Sequence, residues 1–355
     1  MSHLCGIPIK ELINKLTPLP RFRCEQIFQW MSRGILDFSQ MNNLPLSLRD
    51  ELTKSFPDCT GKITDHLVDK DTIKLGIVFP ESLSVTQQTF VSDNVKIESV
   101  LLCDNKERQT ACLSTQAGCP IRCVFCKTGS LGFSRNLNSG EIVQQFLFLR
   151  GIAESEGKTI NNIVVMGMGE PLLNIDELRK AISVITDPKG INFSRRRITV
   201  STCGIYKGII DLCENGPYVR LALSLVTGDE SIRQRLMPGI RNEPLNKIKE
   251  AIFKYQHKSG RITLEIVMLG GINTDEKNAN SIAEFADGLD VVINLIPWNP
   301  CQGLEFEKQS IKEPSKQEIL AFEKFLIEKN LKVTRRLSKG RGVSGACGQL
   351  GHKQV

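Results

Sequence analysis

Three cysteines stand close together in the stretch CPIRCVFC, at positions 119, 123 and 126. Thiolates at this spacing are suited to bind a metal ion or an iron–sulfur cluster. A closed zinc site or a fully protein-ligated cluster needs four ligands, so this motif leaves one position open. The sequence therefore predicts metal chemistry at Cys119, Cys123 and Cys126, with room for one further ligand.

The fourth ligand is not found near the motif. The 75 residues after Cys126 contain neither Cys nor His, while Cys112 lies seven residues before Cys119 and Cys347 is far downstream. The usual ferredoxin spacing is also different, because it places two residues between successive cysteines. These observations disfavour a zinc knuckle.

Composition indicates a globular protein with one large domain and a smaller one. The chain has 355 residues, 41% hydrophobic and 24% charged, and no apolar run approaches the roughly 18 residues that span a bilayer. The N-terminus carries charges where a signal peptide has an apolar stretch. We therefore expect a cytoplasmic monomer without membrane contact, whose 12 cysteines are not a disulfide framework. The net charge of +7 is compatible with a polyanionic partner without demanding one.

The residues that carry the chemistry need elements to position them, and the pattern of the chain predicts four regions. Residues 1–60 have helical periodicity, with Ser47 expected to cap a helix, and residues 61–105 alternate as strands do. Residues 106–337 alternate short apolar runs with amphipathic segments, and residues 338–355 form a glycine-rich C-terminal loop that carries Cys347.

The third region predicts an α/β fold with a parallel sheet. About six strand–helix units are present, too few for an eight-stranded barrel, so a partial (β/α)6 barrel fits. The predicted strands are TACLSTQAG, NNIVVMGMG, RRITVSTCG, VRLALSLV, RITLEIVML and VVINLIPWN. Active sites of such folds lie at the carboxyl ends of the strands, where Gly169, Glu170, Ser201, Ser224 and Asn299 stand.

Together these features resemble the radical S-adenosylmethionine enzymes from about residue 110 onward. The resemblance implies that Cys119, Cys123 and Cys126 hold three irons of a 4Fe–4S cluster and that S-adenosylmethionine takes the fourth. Reductive cleavage of this cofactor would supply a 5′-deoxyadenosyl radical. The string GMGEP implies that backbone at Gly169 approaches the methionine moiety and that Glu170 engages its ammonium group.

Longer strings narrow the resemblance. The segments CLSTQAGC, GFSRNL, MGMGEPLLN, INLIPWNP and ACGQL are similar to the RlmN-type adenine-C2 RNA methyltransferases over nearly the whole chain. This family implies that the N-terminal helical domain binds RNA. The related Cfr-type enzymes, which methylate adenine C8, differ at Pro171 and around IPWNP. A C8 enzyme and a non-catalytic, metal-bound RNA-binding module remain as alternatives.

The resemblance also implies a mechanism for methylating adenine C2, an electron-poor carbon that does not attack a sulfonium methyl group. Cys347 is methylated by a first S-adenosylmethionine, and the radical from a second one activates that methyl group to bond with C2. Glu98 removes the C2 proton. Cys112 then attacks the Cys347 sulfur, which releases the product and leaves a transient Cys112–Cys347 disulfide.

The remaining implied contacts concern cofactor and RNA. Cofactor contacts are implied at Gly169, Glu170, Ser201, Ser224, Leu225, Val226 and Asn299. The family usually has Ser-Leu-His where this chain has Ser-Leu-Val, so Val226 can offer only backbone. The implied RNA partners are 23S ribosomal RNA and transfer RNA, with the target base flipped or unpaired. The implied electron donor is a flavodoxin- or ferredoxin-like protein, and basic residues at 195–197 and 332–341 are candidates for phosphate contact.

Overall fold

The computed structural model describes residues 4–56, 58–80, 96–104, 108–336 and 338–351. The helices are α1 (Ile9–Lys15), α2 (Arg21–Ser32), α3 (Leu46–Ser55), α4 (Lys127–Ser130), α5 (Ser139–Ser155), α6 (Ile175–Thr186), α7 (Tyr206–Asn215), α8 (Glu230–Leu236), α9 (Leu245–Ser259), α10 (Glu276–Ala286) and α11 (Lys316–Glu328). The strands are β1 (Lys62–Asp69), β2 (Thr72–Val78), β3 (Lys96–Cys103), β4 (Gln109–Cys112), β5 (Gln116–Gly118), β6 (Phe133–Asn136), β7 (Ile160–Val165), β8 (Ile198–Thr202), β9 (Arg220–Ser224), β10 (Ile262–Met268), β11 (Val291–Pro297), β12 (Glu305–Phe306), β13 (Gln309–Ser310) and β14 (Val333–Arg335).

Within these described residues one sheet has the strand order β1-β2-β3-β4-β7-β8-β9-β10-β11-β14. The strands from β4 to β11 in this order are parallel, and each is followed by a helix that returns the chain. These strands and their helices form a partial barrel of six strand–helix units. The predicted fold class is therefore confirmed. The short strand β14 continues the sheet as a further parallel strand beside β11.

The strands that precede the barrel extend the same sheet. β1, β2 and β3 pair antiparallel with one another, and β3 pairs antiparallel with β4. The described part of the β-rich region predicted for residues 61–105 therefore contributes three strands to one edge of the barrel sheet. The predicted boundaries at 105/106 and 337/338 fall beside residues outside the described ranges, and the division into four regions stays a prediction.

Local sequence explains why the helices form here. In α6, Leu178, Ala181, Ile182 and Ile185 are buried, which is the spacing of one helix face. α5 begins with a capping box, in which Asn138 and Glu141 satisfy each other's backbone N–H groups. These caps and faces place each helix against the sheet, with strand ends open on one side.

Two local expectations were wrong. α3 begins at Leu46 directly after Pro45, without a side-chain cap, because proline already has the backbone angles that lead into a helix. Ser47 therefore lies inside the first turn. The run TACLSTQAG does not form one strand: the chain leaves the sheet after β4, and β5 pairs with β6 in a separate hairpin.

The N-terminal helices are attached to the barrel through α5. The backbone of Gly6 packs so closely against Gly140 that an added Cβ atom would collide with it. Arg150 donates a hydrogen bond of 2.7 Å from Nη2 to the carbonyl oxygen of Ser32. In the described part of the chain, no helix is long and apolar enough to cross a membrane.

Candidate active site

A pocket of about 1010 Å³, including its mouth, lies at the carboxyl ends of the barrel strands. The pocket brings together most of the predicted site residues, which come from six separate parts of the sequence. The predicted residues that line it are Cys119, Cys123, Cys126, Gly169, Glu170, Ser201, Ser224, Asn299 and Cys347.

The three motif cysteines enter the pocket on the loop between β5 and α4. Gly118 has a φ of +75°, and an added Cβ atom would meet the carbonyl oxygen of Gly132, so the turn requires glycine. The Cys119 N–H donates to that same carbonyl at 2.7 Å. Further along, the Cys126 N–H donates to the Cys123 carbonyl at 3.1 Å. These backbone bonds fix the direction in which the thiols point.

Burial makes the three thiols poor anions in the absence of a cation. It raises the pKa of Cys119 to about 12, the pKa of Cys123 well above its usual range, and the pKa of Cys126 also upward. Each of Cys119 and Cys123 is further raised by neighbouring motif thiols. A coordinated metal supplies the positive charge that such thiols need, since a ligating thiol is deprotonated outright.

The donor set fits an iron–sulfur cluster. Among the described residues, no group of three or more His, Cys, Asp or Glu side chains is arranged to hold a single metal ion. In a cluster each thiolate binds a different iron, so the ligands surround a larger body than one ion. Three thiols on one pocket wall match three irons and leave the fourth to a pocket ligand.

Glu170 presents a buried carboxylate in the same pocket. Its Oε1 accepts from Thr202 Oγ1 at 2.7 Å and from the Leu172 N–H at 3.0 Å, and its Oε2 accepts from the Cys203 N–H at 2.8 Å. Burial raises the pKa of Glu170 in spite of these bonds. No described basic side chain forms an ion pair with it, so the carboxylate is suited to an ammonium group from a ligand.

The backbone beside Glu170 packs closely against Gln116. Gly169 has a φ of +105°, and an added Cβ atom would meet Gln116, whose Oε1 accepts from the Glu170 N–H at 2.8 Å. Across the pocket, the Ser201 and Ser224 hydroxyl groups lie 3.3 Å apart on neighbouring strands. This cradle of glycine backbone and hydroxyl groups is suited to a polar cofactor.

Leu225 and Val226 lie behind the pocket wall rather than on it. Both are fully buried, and their polar backbone atoms already have partners. The Val226 N–H donates to the backbone carbonyl oxygen of Glu265 at 3.2 Å, and the Val226 carbonyl accepts from the Asn273 side chain at 2.9 Å. The Leu225 carbonyl accepts from Arg233 at 3.0 Å. The structure thus brings Ser224, but not its two successors, to the pocket surface.

Cys347 is carried into the pocket by residues 338–351, which we call the C-terminal strap. Asn299 Nδ2 donates to the Cys347 carbonyl at 3.0 Å, and the Lys127 N–H donates to the Gly348 carbonyl at 2.8 Å. Thr128 Oγ1 donates to the Leu350 carbonyl at 2.8 Å. The strap is therefore bonded to the segment directly after Cys126, and this places the thiol beside the predicted cluster.

A second cavity of about 990 Å³, including its mouth, is also lined by Cys347. It shares Ile296, Asn299 and Cys347 with the first pocket. Its basic lining residues are Arg108, Arg335, Arg336 and Lys339. Cys347 thus stands at the junction of a cysteine-lined pocket and a basic cavity.

Cys112 is buried on β4 near this junction, and the structure contains both Cys112 and Cys347 as free thiols. Burial raises the pKa of Cys112 to about 11, while the charge of Arg336 lowers it. Packed protein atoms also raise the pKa of the Cys347 thiol, although the residue keeps an exposed surface. Arg336 opposes that rise too, so one guanidinium group favours the thiolate form at both cysteines.

Glu98 does not line the first pocket. Its carboxylate is buried on β3, where Lys74 Nζ lies 3.1 Å from Oε1 and the Gly351 N–H donates to Oε2 at 2.6 Å. Its carbonyl accepts from Ser114 Oγ at 2.6 Å. The structure therefore brings Glu98 to the strap that carries Cys347.

Three residues in or beside the site were missed from sequence. Glu265 lines the pocket from β10, where burial raises its pKa and Arg336 lowers it. Cys203 lines the pocket next to Glu170, and Lys74 pairs with Glu98. Glu265 and Lys74 each interrupt an apolar strand, TLEIV and TIKLGIV. A single charge in a buried strand is the signal that would have found both.

Comparisons with known proteins agree with this site. Residues 113–280 match the Radical SAM superfamily, and residues 10–56 match the Ribosomal RNA large subunit methyltransferase N-terminal domain. A protein named "Probable dual-specificity RNA methyltransferase RlmN" from Treponema pallidum is 41% identical over 98% of this chain and 97% of its own. The one of that name from Treponema denticola is 46% identical over 93% of this chain and 90% of its own.

A solved structure shows the same fold over the full length. The radical SAM methyltransferase from Sphaerobacter thermophilus has a TM-score of 0.89 and 34% identity, covering 99% of both chains. Family membership implies a 4Fe–4S cluster and S-adenosylmethionine, which the three thiols and Glu170 fit. With this geometry and these relatives, the chain belongs to the RlmN family of radical S-adenosylmethionine RNA methyltransferases.

Proposed function

We propose that the protein methylates C2 of adenosine in two RNA classes, 23S ribosomal RNA at the peptidyl-transferase centre and transfer RNA on the 3′ side of the anticodon. The observation that carries this proposal is that Cys347 lines both the cysteine pocket and the basic cavity. A thiol at that junction can take a methyl group on one side and present it to a base on the other. The dual RNA specificity rests on the names of the relatives.

The cofactors would be held by residues that already face one another. Cys119, Cys123 and Cys126 would hold the cluster, and Glu170 would accept hydrogen bonds from the ammonium group of S-adenosylmethionine. Further contacts would come from the backbone of Gly169 and from the side chains of Ser201, Ser224 and Asn299, whereas Leu225 and Val226, for which contacts were also expected, would only support Ser224 from behind. When bound, two molecules of S-adenosylmethionine per turnover supply a methyl group and a radical that abstracts hydrogen. An external flavodoxin- or ferredoxin-like protein would supply the electrons. The enzyme would act as a monomer in the cytoplasm.

The chain's own residues would carry the methyl group and release the product. Cys347 accepts the methyl group and, through its carbon, becomes bonded to C2 of the base. Glu98 accepts the C2 proton as that bond is resolved. The Cys112 thiolate attacks the Cys347 sulfur and forms a Cys112–Cys347 disulfide. The carbon–sulfur bond breaks, its electron pair stays on the carbon, and this carbon takes a proton from solvent as the methylated base leaves. External reductant must then restore the two thiols.

The basic cavity is the proposed entrance for RNA, since a base must leave its stack to reach the barrel interior. Arg335 lies on its rim with a side chain 42% exposed, and its guanidinium group is 3.7 Å from Glu323. Arg335→Gln is expected to weaken RNA binding several-fold and to lower the slope of log Kd against log salt by about one. Fluorescence titrations at several salt concentrations would measure this.

Arg261→Gln is the matched control. Arg261 is similarly exposed and pairs with Asp290 at 2.8 Å, but it precedes β10 at the opposite end of the barrel. Its substitution should leave both the affinity and the salt slope unchanged. Equal effects of the two substitutions would contradict an RNA entrance at the basic cavity.

The position of methylation is tested with RNA that carries deuterium on adenine. The reconstituted enzyme should release the label from C2-deuterated adenosine and retain the label at C8, as read by mass spectrometry of nucleosides. Cys347→Ala should release neither. Release from C8 instead would replace the C2 assignment by the C8 alternative, and release from neither position by wild-type enzyme would favour a non-catalytic RNA-binding role.

A further inference from the structure

A lysine and a glutamate form an ion pair inside the sheet edge. Lys74 Nζ and Glu98 Oε1 are 3.1 Å apart, and the two side chains are only 3% and 5% exposed. The β2–β3 register places Gly76 opposite Glu98 and Lys74 opposite Val100, so the two charged residues are diagonal neighbours on one face. Val100 is in turn opposite Cys112 on β4, which puts Cys112 on that same face.

Both members of the pair also bond to the C-terminal strap. Lys74 Nζ donates to the Ser344 carbonyl at 3.4 Å, and Glu98 Oε2 accepts from the Gly351 N–H at 2.6 Å. These two backbone groups lie on either side of Cys347 along the chain. The pair therefore grips the strap at two points that bracket the thiol.

The chemistry of buried charge makes these contacts interdependent. A buried ion pair is tolerated when further hydrogen bonds satisfy its remaining donors and acceptors, and removal of one partner leaves an uncompensated charge. Here the strap backbone supplies such bonds at both ends. Docking of the strap and formation of the ion pair thus favour each other.

We propose that Lys74 is a positioning residue that, together with Glu98, holds the strap so that Cys347 stands at the junction of the pocket and the basic cavity. We call the Lys74–Glu98 pair with its two bonds to the strap the clasp. The catalytic meaning of the clasp rests on the proposed function, although the clasp itself is formed by this chain alone. It gives Lys74 a role beyond fold stability. The clasp also attaches Glu98, the proposed base, to the strap that carries Cys347, the proposed methyl carrier.

The test compares Lys74→Met with Lys96→Met in protein without cluster or cofactor. Lys96 on β3 is the control, because this half-buried lysine pairs with Asp65 across the same sheet edge, and within the described residues no hydrogen bond or ion pair joins it to the strap. Hydrogen–deuterium exchange of strap amides is measured by mass spectrometry. Iodoacetamide labelling of Cys347 is followed in the tryptic peptide 342–353, in which it is the single cysteine.

Lys74→Met is expected to raise strap exchange and Cys347 labelling about tenfold, with exchange in β7 to β11 unchanged, whereas Lys96→Met should change neither. Equal strap exchange in the two variants would overturn the proposal. So would a rise in Lys74→Met that is equally large in the barrel strands, because the effect would then be loss of the fold.

A double variant separates positioning from catalysis. Lys74→Met with Glu98→Gln leaves no unpaired charge, and the amide oxygen can still accept from Gly351. Its strap exchange should fall between wild type and Lys74→Met, while methylation, measured separately with reconstituted enzyme, stays absent because the proposed base is gone. If Lys74→Met does not fold, the double variant is compared directly with Lys96→Met, and strap exchange no higher than in that control would overturn the clasp. Normal methylation by Glu98→Gln alone would contradict the base but not the clasp.

Discussion

Substitution of Cys112 by alanine is expected to stop turnover after the base has been bonded to Cys347, so that a covalent protein–RNA adduct accumulates. Multiple turnover should fall by about 10³-fold or more, because the thiol proposed to resolve the adduct is gone. Cys112 is buried on β4 near the junction at which Cys347 stands, and the charge of Arg336 lowers the pKa of both thiols against the effect of burial. These two cysteines therefore share the electrostatic environment that thiol exchange requires.

The adduct is measured on denaturing gels as RNA that migrates with protein and is confirmed by mass spectrometry of the peptide 342–353. Cys213→Ala is the control, since Cys213 is a free, half-buried cysteine on α7 that does not line the pocket. It should turn over like wild type. Normal turnover by Cys112→Ala would make the proposed release step untenable, and an adduct on any residue other than Cys347 would reassign the methyl carrier.

Much of the fold could be predicted because its signals are local. Each barrel strand is a short apolar run followed by an amphipathic helix, and a parallel sheet with its site at the strand ends follows from that alternation. The predicted end of the first barrel strand was wrong because it depends on a distant partner. Gly118 packs against Gly132, and this close approach pairs β5 with β6 instead of extending the sheet. No pattern within TACLSTQAG reveals that pairing.

The candidate site divides in the same way. Spacing alone predicts Cys119, Cys123 and Cys126, since all three belong to one loop. Lys74 and Glu265 were missed because their importance depends on strand register and on neighbours more than 20 residues away in sequence, as with the 24-residue separation of Lys74 and Glu98. Only the folded chain shows that such charges face a shared pocket or strap.

The strap joins these local and distant features. It is bonded to Thr128 directly beyond the cysteine motif, to Asn299 at the end of β11, and to Glu98 on β3. A change in any one of these regions is therefore expected to alter the position of Cys347. This arrangement explains how the thiol that we propose as the methyl carrier can lie on a glycine-rich C-terminal segment and still be held at the junction of two cavities.

The second large effect is expected at the cluster. Cys123→Ala should lower iron after anaerobic reconstitution from about four per chain to near zero and should abolish methylation, because only two thiolates remain for three irons. Iron is measured by colorimetric assay and the cluster by its visible absorption. Cys123 and the other motif cysteines line one wall of the pocket, and burial raises their pKa values so that no ionised thiol is stable there without a cation.

Cys203→Ala is the sharpest control for that result. Cys203 is buried, lines the same pocket, and has a pKa that burial and the Glu170 charge raise well above its usual range, as burial does for Cys123. It lies outside the motif, so its substitution should leave iron near four per chain and weaken only the hold on Glu170. If Cys203→Ala lost iron as fully as Cys123→Ala, Cys203 would be a ligand, and the cluster would no longer have the open iron on which the proposed cofactor binding depends.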